Sequence, residues 1–74
     1  MTDLERVRDV KRRHNRELMS APGVVGTGVG RDTSGRPVIE VYVERDTPQT
    51  RSTIPDTIDG VDVRIVETGP FEAR

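Results

Sequence analysis

The chain has 74 residues, no cysteine, and 12 Lys plus Arg against 13 Asp plus Glu, for a formal net charge of -1. That length supports a single domain, residues 1–74, near the lower end of what folds without staples or a partner. The absence of cysteine excludes disulfides, thiolate zinc sites and thiol nucleophiles, and the balanced charge argues against a nucleic-acid binder.

The charge is unevenly spread. Met1 to Pro22 carries six basic and four acidic residues, whereas Gly23 to Arg74 carries six and nine. No apolar run approaches the roughly 18 residues a membrane span needs, and the N-terminus is charged from Asp3 onward rather than signal-like. A soluble, cytoplasmic protein without a membrane partner is expected. Few aliphatic side chains are available for a core, which favours a fold that gains burial from a second copy, as a homodimer, or from another protein.

The first element is a helix over 1–20. Thr2 and Glu5 have capping-box spacing, and Leu4, Val7, Val10, His14 and Leu18 recur at steps of three and four, within roughly 120° of arc. Pro22 and Gly23 end it. The opposite face holds Arg6, Arg8, Arg12, Arg13 and Arg16, but Asp9 precedes Arg12 by three residues and Arg13 by four, which reads as a solvated, ion-paired surface. Phosphate contact through this face is the lesser reading, because no aromatic residue lies nearby to stack on a base. His14, the single histidine, is expected in the core with one nitrogen satisfied.

Beyond the helix the period changes to two. Strands are predicted over 24–31, 38–44 and 61–67, with Ile39, Val41 and Val43 on one face of the second and Val61, Val63 and Ile65 on one face of the third. Residues 45–60 have only Ile54 and Ile58 as apolar anchors and read as a surface loop with a short helical turn at Pro55 to Ile58. The fold class is α+β: one N-terminal amphipathic helix packed on a small, mostly antiparallel sheet of three to four strands. The strand order, and any strand after Gly69, stay open.

"GVVGTGVGRD" contains glycine at every second position from Gly26 to Gly30. A dinucleotide fingerprint needs G-x-G-x-x-G leading into a helix, and a P-loop needs a Lys followed by Ser or Thr. Neither is present, so no cofactor is expected and a small-molecule ligand is disfavoured. A hairpin accounts for the pattern better. Thr33 and Ser34 in a type I turn, with Gly35 left-handed, pair Asp32 with Arg36. Val29 then faces Ile39, Thr27 faces Val41 and Val25 faces Val43, all toward the helix.

On the other face Gly26 lies across from Tyr42, Gly28 from Glu40 and Gly30 from Val38. Either Tyr42 folds over Gly26, or the bare backbone is a docking surface for another chain. A two-residue turn at Ser34 and Gly35 would instead put the helix on the glycines. The candidate interaction surface is therefore Gly26, Gly28, Gly30, Val38, Tyr42 and Val66. No catalytic or metal site is expected; an acid–base pair of His14 with Asp56, Asp59 or Asp62 is the least favoured reading.

The segments "LMSAPGVVGTGVG", "GRPVIEVYVE" and "IPDTIDGVDVRIVETGPF" resemble a family of small uncharacterised bacterial domains with the pattern L-x-x-x-P-G-V-x-G-x-G-V-G, G-x-P-x-I-x-V-Y-V and P-x-x-I-x-G-V-x-V. Similar stretches precede trypsin-like serine peptidase domains. The resemblance covers most of Leu18 to Phe71 and implies an α+β unit with a regulatory or scaffolding relation to a peptidase. It transfers no catalytic residue, and the length ending at Arg74 is expected to hold no peptidase domain. The functional expectation is a small non-enzymatic interaction module. The alternatives are a peptidase inhibitor or pro-segment, with Arg51 and Ser52 on an exposed loop, and nucleic-acid contact through the basic helix.

Overall fold

The computed structural model describes residues 2–69. It has an N-terminal helix packed on a four-stranded, mostly antiparallel open sheet, an α+β fold. Helix α1 spans Asp3–Ser20. Thr2 caps it, its hydroxyl accepting from the Glu5 amide at 3.1 Å. The Glu5 carboxylate returns to the Thr2 hydroxyl at 3.2 Å rather than to the backbone.

Strand β1 is Val24–Arg31 and β2 is Pro37–Val43, one residue earlier at each end than the sequence suggests. They pair antiparallel with Gly26 opposite Tyr42, Thr27 opposite Val41, Gly28 opposite Glu40, Val29 opposite Ile39 and Gly30 opposite Val38. The turn is the expected three-residue one: Gly35 has φ +85°, and Asp32 and Arg36 are joined by a 3.0 Å backbone bond. Asp32 Oδ1 accepts from the amides of Ser34 and Arg36 at 2.9 Å each and from the Ser34 hydroxyl at 2.7 Å. These bonds, the Ser34 hydroxyl first, hold the Asp32 carboxyl below its ordinary pKa.

Val25 departs from expectation. Val24, not Val25, lies opposite Val43, and the register shifts between Val24 and Gly26. The extra residue is a β-bulge, which lets Val24 pack on the core while Val25 remains 38 % exposed.

The segment 45–60 also needs correction. Its helix, α2, is Pro48–Thr53 rather than Pro55 to Ile58. The Thr47 hydroxyl accepts from the Thr50 amide at 3.1 Å, and Pro48 supplies a first-turn residue with φ already set. Thr57–Ile58 forms β3, which turns back on β4, Val61–Glu67, through Asp59 and Gly60 with φ of 49° and 78°. Two positive φ values in a two-residue Asp-Gly connection mark a type I′ hairpin.

The sheet order is β1-β2-β4-β3, with β4 parallel to β2. Strand β2 is therefore central, and Ile39, Val41 and Val43 are fully buried. They meet Val7, Val10 and Leu18 of α1, with Ile54, Ile58 and Val61 completing the cluster; Val29, Val63 and Ile65 flank it. Ile54 and Ile58 act as the anchors their sequence setting suggests. A strand after Gly69 would lie outside the described residues.

Candidate interaction surface

The glycine track faces away from α1, but it is not bare. A Cβ on Gly26 would stand 3.4 Å from the Tyr42 ring, and one on Gly28 would stand 2.6 Å from the Tyr42 hydroxyl. One on Gly30 would overlap the Glu40 carboxylate. The Tyr42 hydroxyl donates to Glu40 Oε1 at 3.0 Å, and Arg64 of β4 closes an ion pair with Glu40 Oε2. Arg64 also donates to the Arg31 carbonyl at 3.3 Å.

Glycine at these positions thus admits a flat cover of Tyr42, Glu40 and Arg64. The folding of Tyr42 across the track extends past Gly26 to Gly28. Of the other residues assigned to the surface, Val38 is only 2 % exposed and unavailable for docking, while Val66 is half-buried beside Tyr42. The sequence signal for Glu40 and Arg64 was absent, because their pairing depends on β4 lying next to β2.

The Arg64 guanidinium, ahead of the Tyr42 hydroxyl, holds the Glu40 carboxyl below its ordinary 4.5, and the Glu40 bond pushes the Tyr42 hydroxyl up. A carboxyl whose pKa is lowered on folding stabilises the fold fully above its unfolded value, and that stability is lost as pH falls through the folded one. Glu40→Gln should therefore be less stable than wild type at neutral pH, with the gap narrowing as pH falls below the ordinary carboxylate range. Urea denaturation across this range measures the difference; a gap independent of pH would assign the cover to packing alone.

The other predicted residues fall elsewhere. Arg51 and Ser52 are exposed, but on helix α2 rather than a loop. Arg51 grips Asp46 in a bidentate pair at 2.6 and 2.7 Å, the strong planar geometry. Arg51 is thus carried on a short helix and clamped to Asp46 rather than displayed on an extended loop.

His14 is half-buried at the margin of the core rather than within it. Its Nε2 lies 3.1 Å from Asp59 Oδ2, and its Nδ1 lies 3.9 Å from Glu17. Arg6 adds a 2.9 Å bond to the Asp59 carbonyl. Of the three aspartates considered, the hairpin turn brings Asp59 to the histidine. With carboxylates toward both ring nitrogens, the arrangement ties α1 to the β3–β4 turn. Among the described residues no group of three His, Asp or Glu side chains is placed to hold a metal ion. On the exposed helix face, Asp9 binds Arg12 at 2.7 Å and Arg13 at 3.1 Å.

The remaining feature is the outer edge of β1. Asp32 donates inward to Arg36, and Pro37, which has no N–H, stands opposite Arg31. Antiparallel alternation then makes Gly26, Gly28 and Gly30 the residues that bond to β2. The backbone groups of Thr27 and Val29 point outward, while the Arg31 carbonyl accepts from Arg64. Among the described residues no strand lies beyond β1, and nothing bonds to the outward amides and carbonyls of Thr27 and Val29.

The fold and surface together define a small α+β domain with an open, glycine-rich edge strand. No protein-family model, curated protein or solved structure matches the chain. No helix among the described residues is long and apolar enough to cross a membrane.

Proposed function

We propose that the protein is a small non-enzymatic interaction module that docks through the outer edge of β1. The single observation behind this reading is the unpaired row of backbone groups at Thr27 and Val29 on an eight-residue strand. Edge strands are commonly protected by charge, proline, shortness or a bulge. This strand has a bulge at one end and one charged residue, Arg31, at the other, with neither charge nor proline between. The opposite edge is better guarded: β3 pairs with Val61 and Asp62, and the Val63 amide donates to the Asp56 carbonyl at 2.9 Å.

The mechanism is strand addition, in which main-chain bonds supply affinity and alternate side chains supply selectivity. The glycine face, covered by Tyr42 and Glu40, serves as the rigid back of that edge. Residue-resolved amide exchange tests the reading in two titrations, one raising the protein concentration and one adding a capped peptide of alternating Thr and Val. The Thr27 and Val29 amides should slow in at least one, while those of Gly26 and Gly28, already bonded to β2, change little. Unaltered exchange at Thr27 and Val29 in both titrations would remove the proposal.

A further inference from the structure

Resting on that docking reading, we infer that the occupant of the β1 edge is a second copy of this chain, paired antiparallel about a two-fold axis through Gly28. Outward-bonding residues must pair with outward-bonding residues, so the available registers centre on Thr27, Gly28 or Val29. Each of the three pairs the strand with a copy of itself about a two-fold, and the centre on Gly28 is the one that also brings Arg31 opposite Val25. It sets Gly26 against the partner's Gly30, Gly28 against the partner's Gly28, and Thr27 against the partner's Val29, so glycine meets glycine and a β-branched residue meets a β-branched one. At the axis the backbones approach with no Cβ between them.

Charge supports the pairing of two copies. Thr27 bonds Asn15 of α1 at 2.5 Å, and Val29 packs on the core, so alternation places Arg31 on the helix side of the sheet. Arg31 shares a cleft with Thr2, Asp3 and Leu4, which sets the start of α1 over this end of β1 and the end of α1 over Val24 and Val25. The last turn of α1 contains no basic residue, so the helix supplies no cation of its own to its negative dipole end. The two-fold brings the partner's Arg31 opposite Val25, beside that helix end. Arg31 is exposed, and among the described residues its side chain is held only to the Gly35 carbonyl, at 2.8 Å.

The same pairing covers the exposed apolar side chains. Among the described residues, Val25 and Met19 are the large hydrophobic ones left exposed, at 38 % and 42 %. Val25 lies in the strand pair. Met19 is four residues from Asn15 on the same helical stripe, so it faces the partner's α1 across the seam. The product is one continuous sheet with both helices on one side and both Tyr42 hydroxyls, each over its own Gly28, on the other.

Sedimentation velocity over a range of concentrations, with two variants at exposed positions, tests this. The wild type should dimerise reversibly. Val25→Lys, which sets a lysine against the partner's Arg31, should weaken the dimer by about tenfold or more. Val25→Lys with Arg31→Glu, which makes each pair opposite in sign, should dimerise more tightly than Val25→Lys alone. A wild type that stays monomeric at all concentrations, or a dimer indifferent to Val25→Lys, overturns the inference; a double variant no tighter than the single one overturns the register. The peptide titration separates the two proposals. If the chain is monomeric while the Thr-Val peptide slows the Thr27 and Val29 amides, edge docking stands and self-pairing falls; if neither occurs, both fall.

Discussion

Replacing Ile39 with alanine is expected to lower stability by about 2–5 kcal/mol, the range for a large-to-small change at a fully buried site. Ile39 has no exposed surface. It lies in the central strand with Val29 on one side and Val63 on the other, in the cluster that includes Val7 and Val10 of α1. None of these elements can close over the missing atoms without moving the register, so a cavity should remain. A domain of this size has about 4–11 kcal/mol in total, so the variant should lose a large fraction of its margin. Thermal melting at fixed protein concentration should show a fall of at least about 10 °C. Val66→Ala, on the other face and half-buried, is the comparison and should shift the melt far less. An Ile39→Ala protein within about 1 kcal/mol of wild type would mean that the helix does not cover this face of β2.

The second prediction is a change of sign. Gly28→Ala should destabilise the wild-type protein by about 1–3 kcal/mol, because the new methyl falls 2.6 Å from the Tyr42 hydroxyl and 3.1 Å from Cε2. The ring must lift, and in lifting it gives up the bond to Glu40 that helps hold the carboxylate over Gly30. In a Tyr42→Ala background nothing presses on that position. There the same substitution should be neutral or stabilising by up to about 1 kcal/mol, since alanine loses less backbone freedom than glycine within a strand. Urea denaturation of the four proteins completes the cycle, whose coupling energy isolates the Tyr42–Gly28 contact. If Gly28→Ala has the same effect with and without Tyr42, the glycine serves something other than the cover.

Both predictions concern the same hairpin, and that hairpin was legible in advance. The turn residues DTSGR require an Asp32 to Arg36 pairing, which assigns Gly26, Gly28 and Gly30 to one face and Val29 with Ile39 to the other. The helix was legible for a comparable reason: its cap and its apolar spacing are both local. Residues 45–60 were misread although local signals existed. Thr47-Pro48 is a helix start and Asp59-Gly60 is a hairpin turn, but a scan for apolar periodicity passes over a six-residue helix and a two-residue strand.

The Val25 bulge left no such signal. It is a displacement of one residue that allows Val24 to reach the core, and alternation alone places Val25 there instead. The candidate surface was half legible in the same way. Tyr42 across from Gly26 follows from register, whereas Arg64 beside Glu40 requires β4 to insert parallel against β2, a long-range choice made by burying Ile65 and Val63 next to Val41 and Ile39.

The amino-acid sequence by itself determined the helix, the β1–β2 hairpin and which face of that hairpin is apolar, because capping, turn geometry and side-chain period act over a few residues. Tertiary structure decided that β2 is central, that Val38 is buried, that Tyr42, Glu40 and Arg64 seal the glycines, and that β1 remains an edge. Those outcomes depend on which strand occupies each side of β2, and that is settled by packing between residues more than twenty positions apart in the chain.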